Sequence, residues 1–184
     1  MGPCSQSDLK WVVHTSDHHT HELGFLPQAA FDLAHTRGTL RVRHIGSEPI
    51  AYVLHGILKP ETKIWQTYTA AELRLDDHAD SLVRELLIDL SKAHAERVYC
   101  WVADDLEAIH FWEAIGFTRC GARNTSDEHK RPATRFQFRL PKGLAIDDDI
   151  SARLARQRAA ELIRAFGMTG AFERQVKREH RRRT

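Results

Sequence analysis

Residues 69–83, TAAELRLDDHADSLV, concentrate more potential chemistry than any other stretch of the chain. Thr67, Tyr68 and Thr69 are β-formers, Ala70 to Asp77 is a polar bend, and from Ala79 onward Leu82, Val83, Leu86, Leu87 and Leu90 recur on one helical face. The pattern predicts a strand that ends in a tight turn and delivers the chain to a helix N-terminus. The first N–H groups of a helix have no partner within it, and they attract phosphates. In this stretch Tyr68, Glu72 and His78, and farther along the chain Asp105, are side chains suited to give or take protons. Each also has a plainer reading: core aromatic, solvated turn residue, helix-start surface residue and helix N-cap, in that order. Upstream, His14, His18, His19 and His21 stand close enough to suggest a metal, yet there is no H-E-x-x-H order and no nearby cysteine. The segment reads first as a solvated loop, with metal binding as the alternative.

The elements that position this turn follow from periodicity. Residues 9–14 (LKWVVH) read as a first strand, and Pro27 suits the first turn of a helix to about Arg37, with Ala30, Phe31 and Ala34 inward and Gly38 as its stop. Residues 39–44 and 49–58 read as a hairpin about Gly46-Ser47, and residues 63–69 as the strand that enters the bend. A helix over 79–95 is followed by 97–103 (RVYCWVA), whose nearly continuous apolar character suits a buried central strand. Asp104 and Asp105 read as caps for a helix over 106–115 that Gly116 ends, and strands over 117–123 and 134–140 close the set. The expected order, β-α-β-β-β-α-β-α-β-β, describes an α/β sandwich with a mixed sheet. Strands 63–69 and 97–103, joined by a helical crossover, are expected to be parallel neighbours that diverge at their C-terminal ends. Trp65, Trp101, Trp112 and Phe117 read as core.

With 184 residues, 42% of them hydrophobic and 28% charged, the chain has the composition of one ordinary globular domain plus an appendage. No apolar run reaches bilayer-spanning length and residues 1–10 lack the apolar core of a signal peptide, so the expectation is a cytoplasmic protein without a membrane partner. Cys4, Cys100 and Cys120 are odd in number and far apart, which predicts free thiols. The net charge of +2 conceals an asymmetry: residues 168–184 carry six basic residues against two acidic ones. The pattern changes after Pro141-Lys142-Gly143, giving a boundary between residues 1–143 and 144–184, the latter an amphipathic helix and a basic tail. Such a tail reads either as merely solvated or as a salt-sensitive contact to nucleic acid.

The spacing Arg74-x-x-Asp77-x-Ala79 resembles the pyrophosphate loop of the GNAT acyltransferases, Gln/Arg-x-x-Gly-x-Gly/Ala, with Asp77 where that family has glycine. A second signature of the family, A-x-x-F-Y-x-x-x-G-F after a polar helix cap, is similar to Ala108, Phe111, Trp112, Gly116 and Phe117 behind Asp105. The resemblance spans residues 9–140. It implies a GNAT-like mixed sheet flanked by helices, with acetyl-CoA or another acyl-CoA as cofactor and an amine as acceptor. It further implies that Thr69 and Ala71 meet the acyl and pantetheine part, that Arg74, Leu75, Asp77, His78 and Ala79 meet the pyrophosphate, and that Phe111 and Trp112 line the cofactor site; it implies no metal. Two residues depart from the pattern. Asp77 sets a carboxylate against anionic phosphates, and Trp112 stands where the family has a general-acid tyrosine, although an indole does not release its proton near neutral pH. Asp77 and the basic tail favour an alternative, a GNAT-like protein that modifies nucleic-acid bases or only binds nucleic acid.

Overall fold

The computed structural model describes residues 4–57, 60–74, 76–124 and 131–140. The predicted C-terminal amphipathic helix and basic tail, residues 144–184, lie outside these, as does Leu75. The chain begins with three helices, α1 (Gln6–His18), α2 (Thr20–Leu23) and α3 (Gln28–Thr36). Strands β1 (Leu40–Ile45), β2 (Glu48–His55) and β3 (Glu61–Thr69) follow, then a 3-10 turn (Ala71–Leu73) and α4 (His78–Lys92). Strand β4 (Arg97–Ala103), helix α5 (Ala108–Ala114) and strands β5 (Thr118–Asn124) and β6 (Pro132–Arg139) complete it. The six strands form one sheet in the order β1-β2-β3-β4-β6-β5, in which the β3–β4 pair is parallel and every other pair antiparallel. The expected mixed α/β sandwich is what the chain forms, and the two central strands are the parallel neighbours anticipated.

One expected element is of the wrong type. Residues 9–14 form the middle of α1, because Ser5 and Asp8 close a capping box at its start: the Ser5 hydroxyl accepts the Asp8 N–H at 3.2 Å and the Asp8 carboxylate accepts the Ser5 N–H at 2.9 Å. Leu9 and Val12, three apart, are both buried against the sheet, a helical spacing that the adjacent Val12 and Val13 mask. The loop expected around His14 to His21 is therefore the end of α1 and the whole of α2. The His14 and His18 rings lie 4.0 Å apart one turn from each other. Among the described residues no three His, Cys, Asp or Glu side chains gather as a metal site. Cys4, Cys100 and Cys120 are free, and no helix among the described residues is long and apolar enough to cross a membrane.

Each face of the sheet has its own core. Leu82, Val83, Leu86, Leu87 and Leu90 of α4 pack with Val53, Ile64, Val98 and Phe136 on one side, where Ile109 and Trp112 of α5 join them. On the other, Leu9 and Val12 of α1 and Phe31 and Ala34 of α3 meet Leu40, Val42, Tyr52 and Leu54. Within β2, Val53 thus faces α4 while its neighbours Tyr52 and Leu54 face α1 and α3, the period-two alternation of a strand covered on both sides.

Asp8 also accepts from His44 Nε2 at 2.8 Å, tying α1 to β1. Burial alone would raise its pKa, but the Ser5 N–H, the His44 ring and the Ser5 hydroxyl together hold it below the usual carboxylate value. A carboxylate with a depressed folded-state pKa contributes stability above its unfolded pKa and loses it as pH falls through the folded value. Asp8→Ala is expected to cost about 1–2 kcal/mol near neutral pH, measured by urea unfolding, with the difference from wild type shrinking below about pH 4.

Candidate active site

Strands β3 and β4 pair at three positions only, Glu61 with Arg97, Thr62 with Val98 and Lys63 with Tyr99. Beyond Lys63 they part, because each is held by its outer neighbour: β3 stays on β2 through Thr69, and β4 stays on β6 through Ala103. A β-bulge marks the start of the divergence, since Leu54 pairs with Gln66 and His55 with Ile64, which leaves Trp65 as an extra residue on β3. The bulge reverses which face each later side chain takes, so Ile64 belongs to the α4 core while Gln66 and Tyr68 turn toward α1 and α2. It also corrects one expectation. Trp112 and Phe117 are core residues, but Trp65 is 47% exposed, because an alternation read from sequence cannot anticipate the inserted residue, and Trp101 is only partly buried and lines the cavities rather than joining either core.

The wedge between the strands is a narrow cavity of about 80 Å³, walled by Ile64 to Thr67 of β3, Cys100 to Ala103 of β4 and Trp112 of α5. Ala70 N–H donates to Ile50 O at 2.9 Å; by the alternation of an antiparallel ladder, Thr67 and Thr69 then direct their backbone N–H groups away from β2, toward the gap. The hydroxyls of both threonines are buried and without a hydrogen-bond partner among the described residues. Buried polar atoms left unpaired are uncommon. Such a donor and acceptor set pairs with amide groups.

At the far end of β3 the chain passes the 3-10 turn and enters α4 through Asp77, whose φ of 60° and ψ of 8° are left-handed. Glycine takes this conformation freely and aspartate better than most residues, so the turn keeps the backbone that a glycine would give. The first intrahelical bond runs from Ser81 N–H to Asp77 O at 2.9 Å, and the N–H groups of His78, Ala79 and Asp80 precede it, at the positive end of the helix. Arg74 folds back from the turn: its Nε donates to Thr69 O at 3.4 Å and its Nη2 meets Glu22 Oε2 at 2.9 Å.

On the α2 side of the wedge lies a wider cavity of about 950 Å³. Glu22, Leu23, Ile64, Trp65, Trp101 and Ala103 line both spaces, so the two meet through them. Glu22 is the carboxylate at that junction. The residues expected to handle protons are dispersed around it. Tyr68 is stacked on Tyr52 and its hydroxyl lies 3.2 Å from His19 Nε2; burial, opposed by Arg74 and assisted by Glu72 and Glu22, raises its pKa. Glu72 is exposed on the 3-10 turn and His78 opens α4. Asp105 does not cap α5, which starts after Glu107; instead it accepts from Arg131 Nε at 2.6 Å, and this bond holds its carboxyl below the usual range. Arg131 also donates to His21 O at 2.6 Å, which ties β6 to α2 across the mouth of the cavity. Phe111 packs edge-on against Trp112, and Trp112 against Phe117. Glu22, Gln66 and Thr67 escaped the sequence reading. Reading residues 14–25 as a solvated loop hides α2 and the carboxylate it carries.

An antiparallel-parallel-antiparallel sheet splayed at its centre, with a tight turn and helix N-terminus at the end of the splay, defines the GNAT acyltransferase fold. The solved structures agree. Ard1 from Thermoplasma volcanium matches with a TM-score of 0.67 at 16% identity, over 75% of this chain and 95% of that one. A ribosomal-protein-alanine N-acetyltransferase from Brucella melitensis matches at 0.63 and 13% identity, over 76% and 98%. The NatC complex bound to Gag peptide and CoA matches at 0.65 and 11% identity, over 77% and 96%. No family model matches the sequence, and no curated protein is significantly similar to it.

Proposed function

We propose that this chain is an acyl-CoA-dependent N-acyltransferase, with acetyl as the acyl group and a primary amine as acceptor. The observation that carries the reading is the wedge, with two buried threonine hydroxyls that lack partners among the described residues and a turn at its end that leads into the N-terminus of α4. The N-acetyltransferase structures that share the fold support it. Bound acyl-CoA would supply an activated acyl carbonyl as a thioester.

The protein's own groups divide the work. Thr67 and Thr69 offer hydroxyls and backbone N–H groups along the gap, and an N–H directed at the carbonyl oxygen stabilises the charge that grows there during attack. The N–H groups of His78, Ala79 and Asp80, with Arg74 nearby, suit the pyrophosphate. Trp112 walls the wedge and helps to exclude water, with Phe111 packed edge-on behind it. Glu22 stands where an amine entering through the wider cavity would reach the wedge, and takes the proton that the nitrogen must lose. Tyr68 shares the electrostatic surroundings of Arg74, Glu72 and Glu22, but it packs on the α1 side of the sheet with its hydroxyl 3.2 Å from His19 Nε2 and lines neither cavity, so it has no part in the transfer. Asp105 acts in this reading as the latch that holds Arg131, and Glu72, exposed on the turn, has no chemical part.

Asp77 tunes the affinity. Asp77→Gly removes a carboxylate beside the phosphate site while preserving the left-handed turn, and is expected to tighten acetyl-CoA by about fivefold, roughly 1 kcal/mol after screening, in calorimetric titrations at low salt. Unchanged affinity would show that the pyrophosphate does not lie at this turn. Transfer itself is tested by thiol release from acetyl-CoA in the presence of a panel of primary amines.

A further inference from the structure

Between α3 and the sheet, next to the wedge, is a cavity of about 560 Å³ whose chemistry is set by four interleaved side chains. Lys63 and Trp65 come from β3, Trp101 from β4 and Arg123 from β5. Lys63 Nζ stands 3.3 Å from the centre of the Trp65 ring, and the Arg123 guanidinium carbon 4.1 Å from that of Trp101. Among neighbouring cations, Arg97 and Arg135 share Glu61 at 2.9 and 3.3 Å and Arg131 is held by Asp105, while Arg37, which also lines the cavity, has no carboxylate partner among the described residues but is exposed at the end of α3. Lys63 and Arg123 have no carboxylate partner among the described residues, although Glu61 lines the same cavity. Two uncompensated cations side by side and partly desolvated are costly, and the cost is visible at Lys63, where burial first and the Arg123 charge second bring the pKa down to about 8. A volume of this order suits a small molecule, and Trp65 and Trp101 continue into the wedge.

We propose that this cavity is a recognition subsite for a small acceptor whose body is flat or apolar and whose far end is a carboxylate or phosphate, the anion held by Lys63 and Arg123 and the body lying on Trp65 and Trp101. An anion there relieves the repulsion between the two cations, and the indole faces give apolar contact without demanding a particular hydrogen-bond pattern. The word acceptor rests on the acyltransferase reading; the anion site itself does not.

Intrinsic tryptophan fluorescence tests the site on the full chain without acyl-CoA, using phenyl phosphate and benzoate as probes and benzyl alcohol as the uncharged control. At least one anionic probe is expected to quench and to bind about tenfold more tightly than the alcohol, with its affinity falling about tenfold in Lys63→Gln and in Arg123→Gln and largely kept in Lys63→Arg. Which probe binds better distinguishes phosphate from carboxylate. Equal binding of anions and alcohol, or full anion affinity in the Gln variants with wild-type circular dichroism, overturns the proposal. Tighter binding of an end-blocked tri-aspartate peptide than of either probe overturns the small-molecule assignment. Acetyl-CoA titrated separately keeps the two readings apart: retained acetyl-CoA binding with no anion preference removes the subsite alone, and the converse removes the acyltransferase reading alone.

Discussion

Glu22→Gln is expected to lower the rate of acyl transfer by about 100-fold while leaving acetyl-CoA affinity within about twofold of wild type. The substitution keeps the size of the side chain and an oxygen to accept the Arg74 bond now seen at 2.9 Å, so the geometry of the turn is preserved. What disappears is the ability to take a proton at the junction of the two cavities. A loss confined to the turnover of amine acceptors, with binding intact, marks Glu22 as the base. A parallel loss of acetyl-CoA binding would instead assign it to holding Arg74, and an unchanged rate would place the base elsewhere.

Gln66→Leu is expected to destabilise the fold by about 3 kcal/mol, lowering the melting temperature by roughly 10 °C. The Gln66 amide oxygen accepts from the Tyr52 hydroxyl at 3.0 Å, its NH2 donates to Gly24 O at 3.0 Å, and the Ser16 hydroxyl lies within 3.2 Å of both ends of the amide. The Tyr52 and Ser16 contacts are buried between α1 and the sheet, and the Gly24 contact is partly buried at their edge. Leucine fills the volume but leaves a hydroxyl and a carbonyl without partners, at about 1–3 kcal/mol each. Because the same bonds latch Leu23 and Gly24 beside Glu22, amine turnover should fall further than acetyl-CoA affinity. A variant with wild-type stability would mean that water replaces the lost contacts.

The parts of this protein that were legible in its sequence are those where local pattern and tertiary environment agree. Arg97–Ala103 is apolar almost throughout because it is covered on both faces, and its bounds are those the composition predicts. The entry of β3 into the turn and α4 follows from a strand, a polar bend and one apolar helical face. Helix α1 was lost because Trp11, Val12 and Val13 have β-forming character, while the Ser5 and Asp8 capping box that decides the matter lies outside the apolar run. Trp65 was assigned to the core because no local signal announces a bulge. Asp105 read as a cap because an aspartate before a helix usually is one; the competing partner, Arg131, is 26 residues away. Glu22, Lys63 and Arg123 gain their meaning only when distant elements converge, and spacing along one segment does not carry that information.

In the proposed reading the wedge between β3 and β4 receives the pantetheine arm of an acyl-CoA. Calorimetric titration of the wild-type chain at low salt with acetyl-CoA, run beside adenosine 3′,5′-bisphosphate, tests it most directly. The account predicts one saturable site for acetyl-CoA with a Kd between about 1 μM and 1 mM, at least tenfold tighter than the nucleotide, because the bisphosphate carries no group for Thr67 and Thr69. Equal affinity for the two ligands, or no binding of acetyl-CoA by either wild type or Asp77→Gly, would contradict it.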